Sequence, residues 1–178
     1  MATPPTFTAG QVLTAAQMNK VGLWLISETT IGSSVASVTV SSAFSADYRN
    51  YLIVISNTNG SVNTTLNMQL DGLTTDYYYN NLSMNSGSST ITGGNGNNVT
   101  AWQVGALRVT TDNTYFIKLG SPFNIVRTTM FSDYQGSSIW YTGSGTTTNT
   151  ASRTGFVLTP ASGTISGGTI DVYGYNGA

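Results

Sequence analysis

The sequence predicts an all-β fold, an antiparallel β-sandwich or barrel, preceded by an extended arm with a short helix. Three observations carry this. Apolar residues recur at every second position along most of the chain, the period of a half-buried strand. Clusters of Gly, Asn, Asp and Ser punctuate these runs at the spacing of short strands and turns. The first 22 residues follow neither pattern and carry a helix start instead.

That opening segment, residues 1–22, is taken as a docking arm, and residues 23–178 as the β domain. Pro4 and Pro5 favour an extended lead. Thr14 is placed to cap a helix, with Gln17 three residues on as its capping-box partner. Leu13 and Met18 flank the cap as a hydrophobic staple, and Gly22 follows too soon for a long helix. An extended lead with so short a helix buries little by itself. It is expected to dock on a neighbour or a symmetry mate through Phe7, Leu13, Thr14, Gln17 and Met18. The alternative is a helix that plugs one end of its own β domain.

Strands follow in order. Ala36, Val38 and Val40 alternate with polar residues, as do Leu66, Met68 and Leu70, and later Ile170 and Val172. Residues 51–55 are apolar on both faces and suit a central strand. Trp102 and Val104 share one phase, Leu107 and Val109 the other, with Gly105 a bulge between them. Further strands are expected at 115–119, 125–131, 139–141 and 154–158. Turns are expected at Asn57-Thr58-Asn59-Gly60, Asp71-Gly72, Gly93-Gly94-Asn95-Gly96, Gly143-Ser144-Gly145 and Ser166-Gly167-Gly168. Residues 86–98, the lowest-complexity tract, are expected as a long exposed loop and a candidate recognition segment. No fixed-period repeat is visible.

Composition narrows the function. The chain has no Cys and no His, and its six Lys and Arg stand against seven Asp and Glu. Disulfides, thiolate chemistry and imidazole relays are therefore not expected. A net charge of −1 sets up no field toward nucleic acid or an anionic membrane. Hydrophobic content of 39% is too high for a disordered chain. No apolar stretch reaches membrane-spanning length, and the start lacks a basic segment before an apolar run, so neither membrane insertion nor a secretory signal is expected. So little charge protects flat sheet surfaces poorly, which favours burial of edges in an oligomer.

No catalytic, metal or cofactor set emerges. Glu28, Asp47, Asp71, Asp76, Asp112, Asp133 and Asp171 are scattered, and several sit in turn sequences. The closely spaced oxygen ligands of a calcium loop are not found; Asp71 and Asp76 read as a solvated turn. Asn59, Asn63, Asn81 and Asn98 each open a glycosylation-acceptor pattern. In a chain so rich in Asn, Ser and Thr these are taken as coincidental. The conspicuous side chains are Tyr77, Tyr78 and Tyr79, and the pair Trp140 and Tyr141. A tyrosine offers an apolar face and a polar tip, which suits glycan or protein recognition. A strand sends Tyr77 and Tyr79 one way and Tyr78 the other, so part of the cluster is expected in core or interface.

The opening Thr6-Phe7-Thr8-Ala9-Gly10-Gln11-Val12-Leu13-Thr14-Ala15-Ala16-Gln17-Met18-Asn19 resembles that of many tailed-bacteriophage tail and appendage proteins. The body continues the likeness through residues 44–51, 66–72 and the Tyr77 cluster. Residues 162–175 look like the closing strand of phage jelly-roll-type domains. The resemblance implies a non-enzymatic virion structural protein with a jelly-roll-like sandwich, often trimeric. It would be made in the host cytoplasm, released by lysis and carried on the virion surface. Its partners would be itself, other tail or capsid proteins, and a host surface glycan. The chain has no room for a long fibre shaft. A short tail fibre or receptor-binding component comes first, a capsid decoration (cement) protein second, and a free-standing carbohydrate-binding module is the alternative of another class.

Overall fold

The alternation in the sequence becomes strands in the computed structural model, which describes residues 10, 12, 22–109, 113–136 and 138–175. In chain order they are β1 (Trp24–Thr30), β2 (Val38–Val40), β3 (Asn50–Gly60), β4 (Thr64–Leu70), β5 (Tyr77–Asn85), β6 (Ile91–Val99) and β7 (Trp102–Leu107). Then come β8 (Asn113–Gly120), β9 (Thr129–Gln135), β10 (Ile139–Thr147), β11 (Phe156–Pro160), β12 (Ile165–Ser166) and β13 (Thr169–Tyr175). No helix occurs among the described residues. The predicted helix, with Phe7, Leu13, Thr14, Gln17 and Met18, lies outside them.

Two antiparallel sheets form. The larger runs β1-β13-β3-β8-β9-β10-β5-β6, with β12 beside β3; the smaller runs β2-β11-β4-β7. The chain crosses from β1 to β2, back to β3 and over to β4, and crosses again from β7 to β8. Two hairpins, β5 with β6 and β9 with β10, stay in the larger sheet and widen it beyond β8.

The core lies between the sheets, as in a sandwich. The larger sheet sends in Tyr51, Ile53 and Ile55 from β3, Tyr115 and Ile117 from β8, and Ile170 and Val172 from β13. The smaller sends Leu66, Met68 and Leu70 from β4, Trp102 from β7, and Phe156 and Leu158 from β11. Apolar burial supplies the main drive. The aromatic residues add hydrogen bonds across the gap. The Tyr115 hydroxyl donates to the Ala106 carbonyl at 2.6 Å, and the Tyr141 hydroxyl to the Gln103 carbonyl at 2.5 Å, both on β7. Trp102 meets Tyr77 edge-on at 5.0 Å between ring centroids.

Several sequence expectations are corrected. Residues 93–96 and 143–145, expected as turns, lie inside β6 and β10. Gly96 and Gly145 make room for rings rather than for turns. A Cβ at Gly96 would collide with the Tyr79 ring, and one at Gly145 with the Trp102 indole. The expected loop at 86–98 is only a short connection, because β6 begins at Ile91. Asn57-Thr58-Asn59-Gly60 does not turn. Asn57 takes a φ of 57° at a bulge between Ile55 and Thr58, and β3 runs on to Gly60. The strand expected at 125–131 starts at Thr129, the register partner of Gly120, so the preceding residues are the connection and Ile125 is 81% exposed. The bulge near Gly105 is present, as a register shift against Leu66 and Asn67.

Alkaline pH reads out the buried tyrosines. Burial pushes the Tyr77 hydroxyl up from 10.0 to about 12, and burial also raises those of Tyr51, Tyr115, Tyr134 and Tyr141. A proton held more tightly in the folded state stabilises the fold fully below the unfolded value, and that stability is lost as pH climbs through the folded one. Unfolding free energy should therefore be level through about pH 9 and fall between 10.0 and about 12, with tyrosinate absorbance rising as β-sheet circular dichroism is lost. Unchanged melting across that window would contradict this assignment.

Candidate functional site

The outer face of the larger sheet, turned away from the core, carries a groove. It crosses β9, β10, β5 and β6. Strand register explains its floor. Ser144 pairs with Phe131 on one side and Asn80 on the other, and Asn80 pairs with Asn95. These four residues form one row across four strands, and every one of them is exposed.

Two hollows share this row. One, of about 570 Å³, lies toward Leu82, Gly93 and Thr142; the other, of about 590 Å³, lies toward Tyr78, Asn97 and Thr146. Each falls within the size range of small-molecule sites, about 300–1,000 Å³. Gly93 helps keep the first open, since it raises no side chain beside Leu82. No hydrogen bond among the described residues occupies the side chains of Asn80, Asn95 or Ser144. Thr142 donates to Asp133 at 2.8 Å, beside the groove. The lining residues carry no formal charge. The surface can thus offer amide and hydroxyl donors and acceptors beside the aromatic faces of Phe131 and Tyr78.

The floor is fastened from within. Asn81, buried, donates to the Gln103 side-chain oxygen at 3.1 Å, and the Tyr79 hydroxyl lies 3.4 Å from that same oxygen. The Gln103 carbonyl takes the Tyr141 hydroxyl. One residue of the smaller sheet therefore holds both strands at the centre of the groove.

This geometry sorts the predicted contact residues. Tyr78 lines the groove, and Tyr79 reaches its edge while its hydroxyl turns inward. Trp140 is 45% exposed on the same outer face, opposite Met84 and Gln135. Tyr77 and Tyr141 are core residues and cannot serve as surface contacts. Tyr77 is fully buried, accepting from the Leu70 amide at 2.7 Å and donating to the Leu73 carbonyl at 3.1 Å. Asn95 lies in the 86–98 tract expected as a recognition loop, here a strand; Ser144 and Phe131 carry no such expectation, Ser144 because its tract resembles a turn. The available signal was the alternation of Asn95 and Asn97 with Gly94 and Gly96.

The other half of the outer face, toward β1, is more apolar. An open hollow of about 470 Å³ is lined by Gly22, Leu23, Leu52, Lys118 and Tyr175. Among the described residues no group of three or more acidic, His or Cys side chains gathers as a metal site, and no helix is long and apolar enough to cross a membrane.

Replacing Gln103 tests the fastening. Gln103→Ala leaves the buried Asn81 amide without its acceptor, and should cost about 1–3 kcal/mol in chemical denaturation. Hydrogen exchange should quicken at β5 ahead of β3 and β13, because the Gln103 carbonyl that takes the Tyr141 hydroxyl of β10 is kept; uniform quickening over both sheets would contradict the local role. Compared with protein-family models, with curated proteins and with solved structures, the chain matches none.

Proposed function

We propose that this chain is a bacteriophage virion surface protein that works by binding. On this reading it is a homotrimeric short tail fibre or receptor-binding component. It docks on other virion proteins through residues 1–22 and turns its β-sandwich outward. The observation that carries the recognition role is the groove, a row of unoccupied amide and hydroxyl groups set on paired strands. Sites on strands are held more precisely than sites on loops. The virion assignment rests on the resemblance of residues 6–19 and 162–175 to phage appendage proteins.

The jelly-roll reading draws support from strand order. The series β1-β13-β3-β8 faces β2-β11-β4-β7, and sequence neighbours alternate between the two series. This is the interleaving of a double Greek key. Support for self-association comes from the outer face and from one edge. Leu23, Leu25 and Phe116 are exposed, and the edge strand β6 has nine residues with no charge and no Pro.

The apolar half of that face also favours a second reading, a capsid decoration protein. Here Leu25 and Phe116 would lie against the shell and the groove would serve no receptor.

Sedimentation should give a trimer; a stable monomer at micromolar concentration would refute the oligomeric part. Deleting residues 1–22 should preserve a cooperative β-rich unfolding transition and abolish incorporation into particles. Loss of folding instead would make the arm a plug of its own domain. Tyr78→Ala should reduce adsorption to host cells with the trimer intact. Unchanged adsorption, together with particles that lose heat resistance when the protein is removed, would select the decoration reading.

A further inference from the structure

We infer that the groove over β9, β10, β5 and β6 binds an uncharged oligosaccharide laid along the strands through both hollows, an inference resting on the recognition role proposed above. The direction comes from register. Phe131, Ser144, Asn80 and Asn95 stand in line at right angles to the strands, and the two hollows lie on either side of that line, so a ligand filling both crosses the line and follows β5 and β10. A ligand filling both hollows meets the same amides and hydroxyl from two sides. A peptide adding itself as a strand would instead lie beside β6 in the plane of the sheet, because its bonds would go to an edge backbone.

Ligand class follows from the side chains. Sugar hydroxyls each donate and accept, and an Asn amide or Ser hydroxyl answers both functions. Asn80, Asn95 and Ser144 are exposed and spend none of this capacity on the described residues. A pyranose also has apolar C–H faces, which suit the faces of Phe131 and Tyr78 and the Leu82 side chain. Ionic ligands fit less well. The hollows have no charged lining residue. Lys118 lies beyond Phe131, with its ammonium 5.9 Å from that ring's centroid. The Asp133 carboxylate beside Thr142 already accepts that residue's hydroxyl. Neutral polar groups backed by a fastened sheet favour a neutral polar ligand whose affinity responds little to salt.

The full chain, fluorescently labelled, would be applied to a glycan array holding neutral glucans, galactans, mannans and chitin fragments with sialylated, sulfated and uronic-acid counterparts. The strongest neutral ligand would then be titrated calorimetrically. Neutral glycans should bind, with little change between low and high salt. Asn80→Ala and Asn95→Ala should each weaken binding about tenfold, the size of one lost hydrogen bond to a polar ligand. Both side chains face solvent, so an unchanged circular dichroism melt identifies the loss as local. Three results would overturn the inference: no neutral glycan bound, binding confined to anionic glycans and abolished by Lys118→Ala, or neutral binding indifferent to both Asn variants. Blocking of phage adsorption by the soluble chain is measured in parallel. If it blocks adsorption without binding any glycan, the sugar inference falls and the receptor reading stands. If it binds neutral glycans through Asn80 without affecting adsorption, the sugar site stands and the receptor reading falls.

Discussion

The hydroxyls of Tyr115 and Tyr141 end on two carbonyls of one strand, β7, and this cross-sheet contact governs much else. A phenol ring gains by burial, but its hydroxyl costs free energy unless it finds a partner. In a sandwich the facing sheet ordinarily presents side chains, and its carbonyls point along the sheet. Here β7 is an edge strand of the smaller sheet, so its outer carbonyls have no ladder partner. The bulge opposite Leu66 and Asn67 redirects the strand at this point. A polar demand of the larger sheet is thus met by an edge that needed covering.

The same contact stiffens the groove. On β5, Tyr77, Tyr79 and Asn81 face inward, and each makes or approaches a hydrogen bond there. The alternate residues, Tyr78, Asn80 and Leu82, face outward over a backbone that cannot easily shift. One strand therefore separates its tasks by parity: odd positions fix the sheet, even positions meet solvent. Glycines make this possible, since Gly96 lies under the Tyr79 ring and Gly145 against Trp102. Side chains at those two sites would push the inward rings out of register with their partners.

Parity also explains what was legible in the sequence. Strands β4 and β13 alternate apolar and polar residues, and their inward sets were readable directly. The Gly-rich stretches of β6 and β10 were not. Glycine marks a turn when the backbone needs positive φ, and a strand when a neighbouring ring needs space. Those two causes leave the same letter, and the ring that distinguishes them lies on another strand. The site was half legible for a related reason. The tyrosine cluster drew attention to β5, but period two alone cannot say which parity faces the core. Tyr78 stayed outside while Tyr77 went in, and Trp140 stayed outside while Tyr141 went in. Asn95 and Ser144 become neighbours of Asn80 only through pairing with β6 and β10, a long-range fact.

The outer face divides into two halves of different chemistry. Toward β1 it presents Leu25, Leu52, Val54 and Phe116, next to the point where residues 1–21 join at Gly22. Toward β6 it presents the amides and hydroxyl of the groove. Water tolerates the second half and penalises the first. With so few charges on the chain, covering the apolar half is the more effective way to keep the protein from indiscriminate association. On the proposed reading, assembly uses the half beside the arm and recognition the half beyond β8. The β9 and β10 hairpin, inserted between β8 and β11, supplies the distance between them. Without it the β5 and β6 hairpin would have no strand joining it to the rest of the larger sheet, and the groove would not exist.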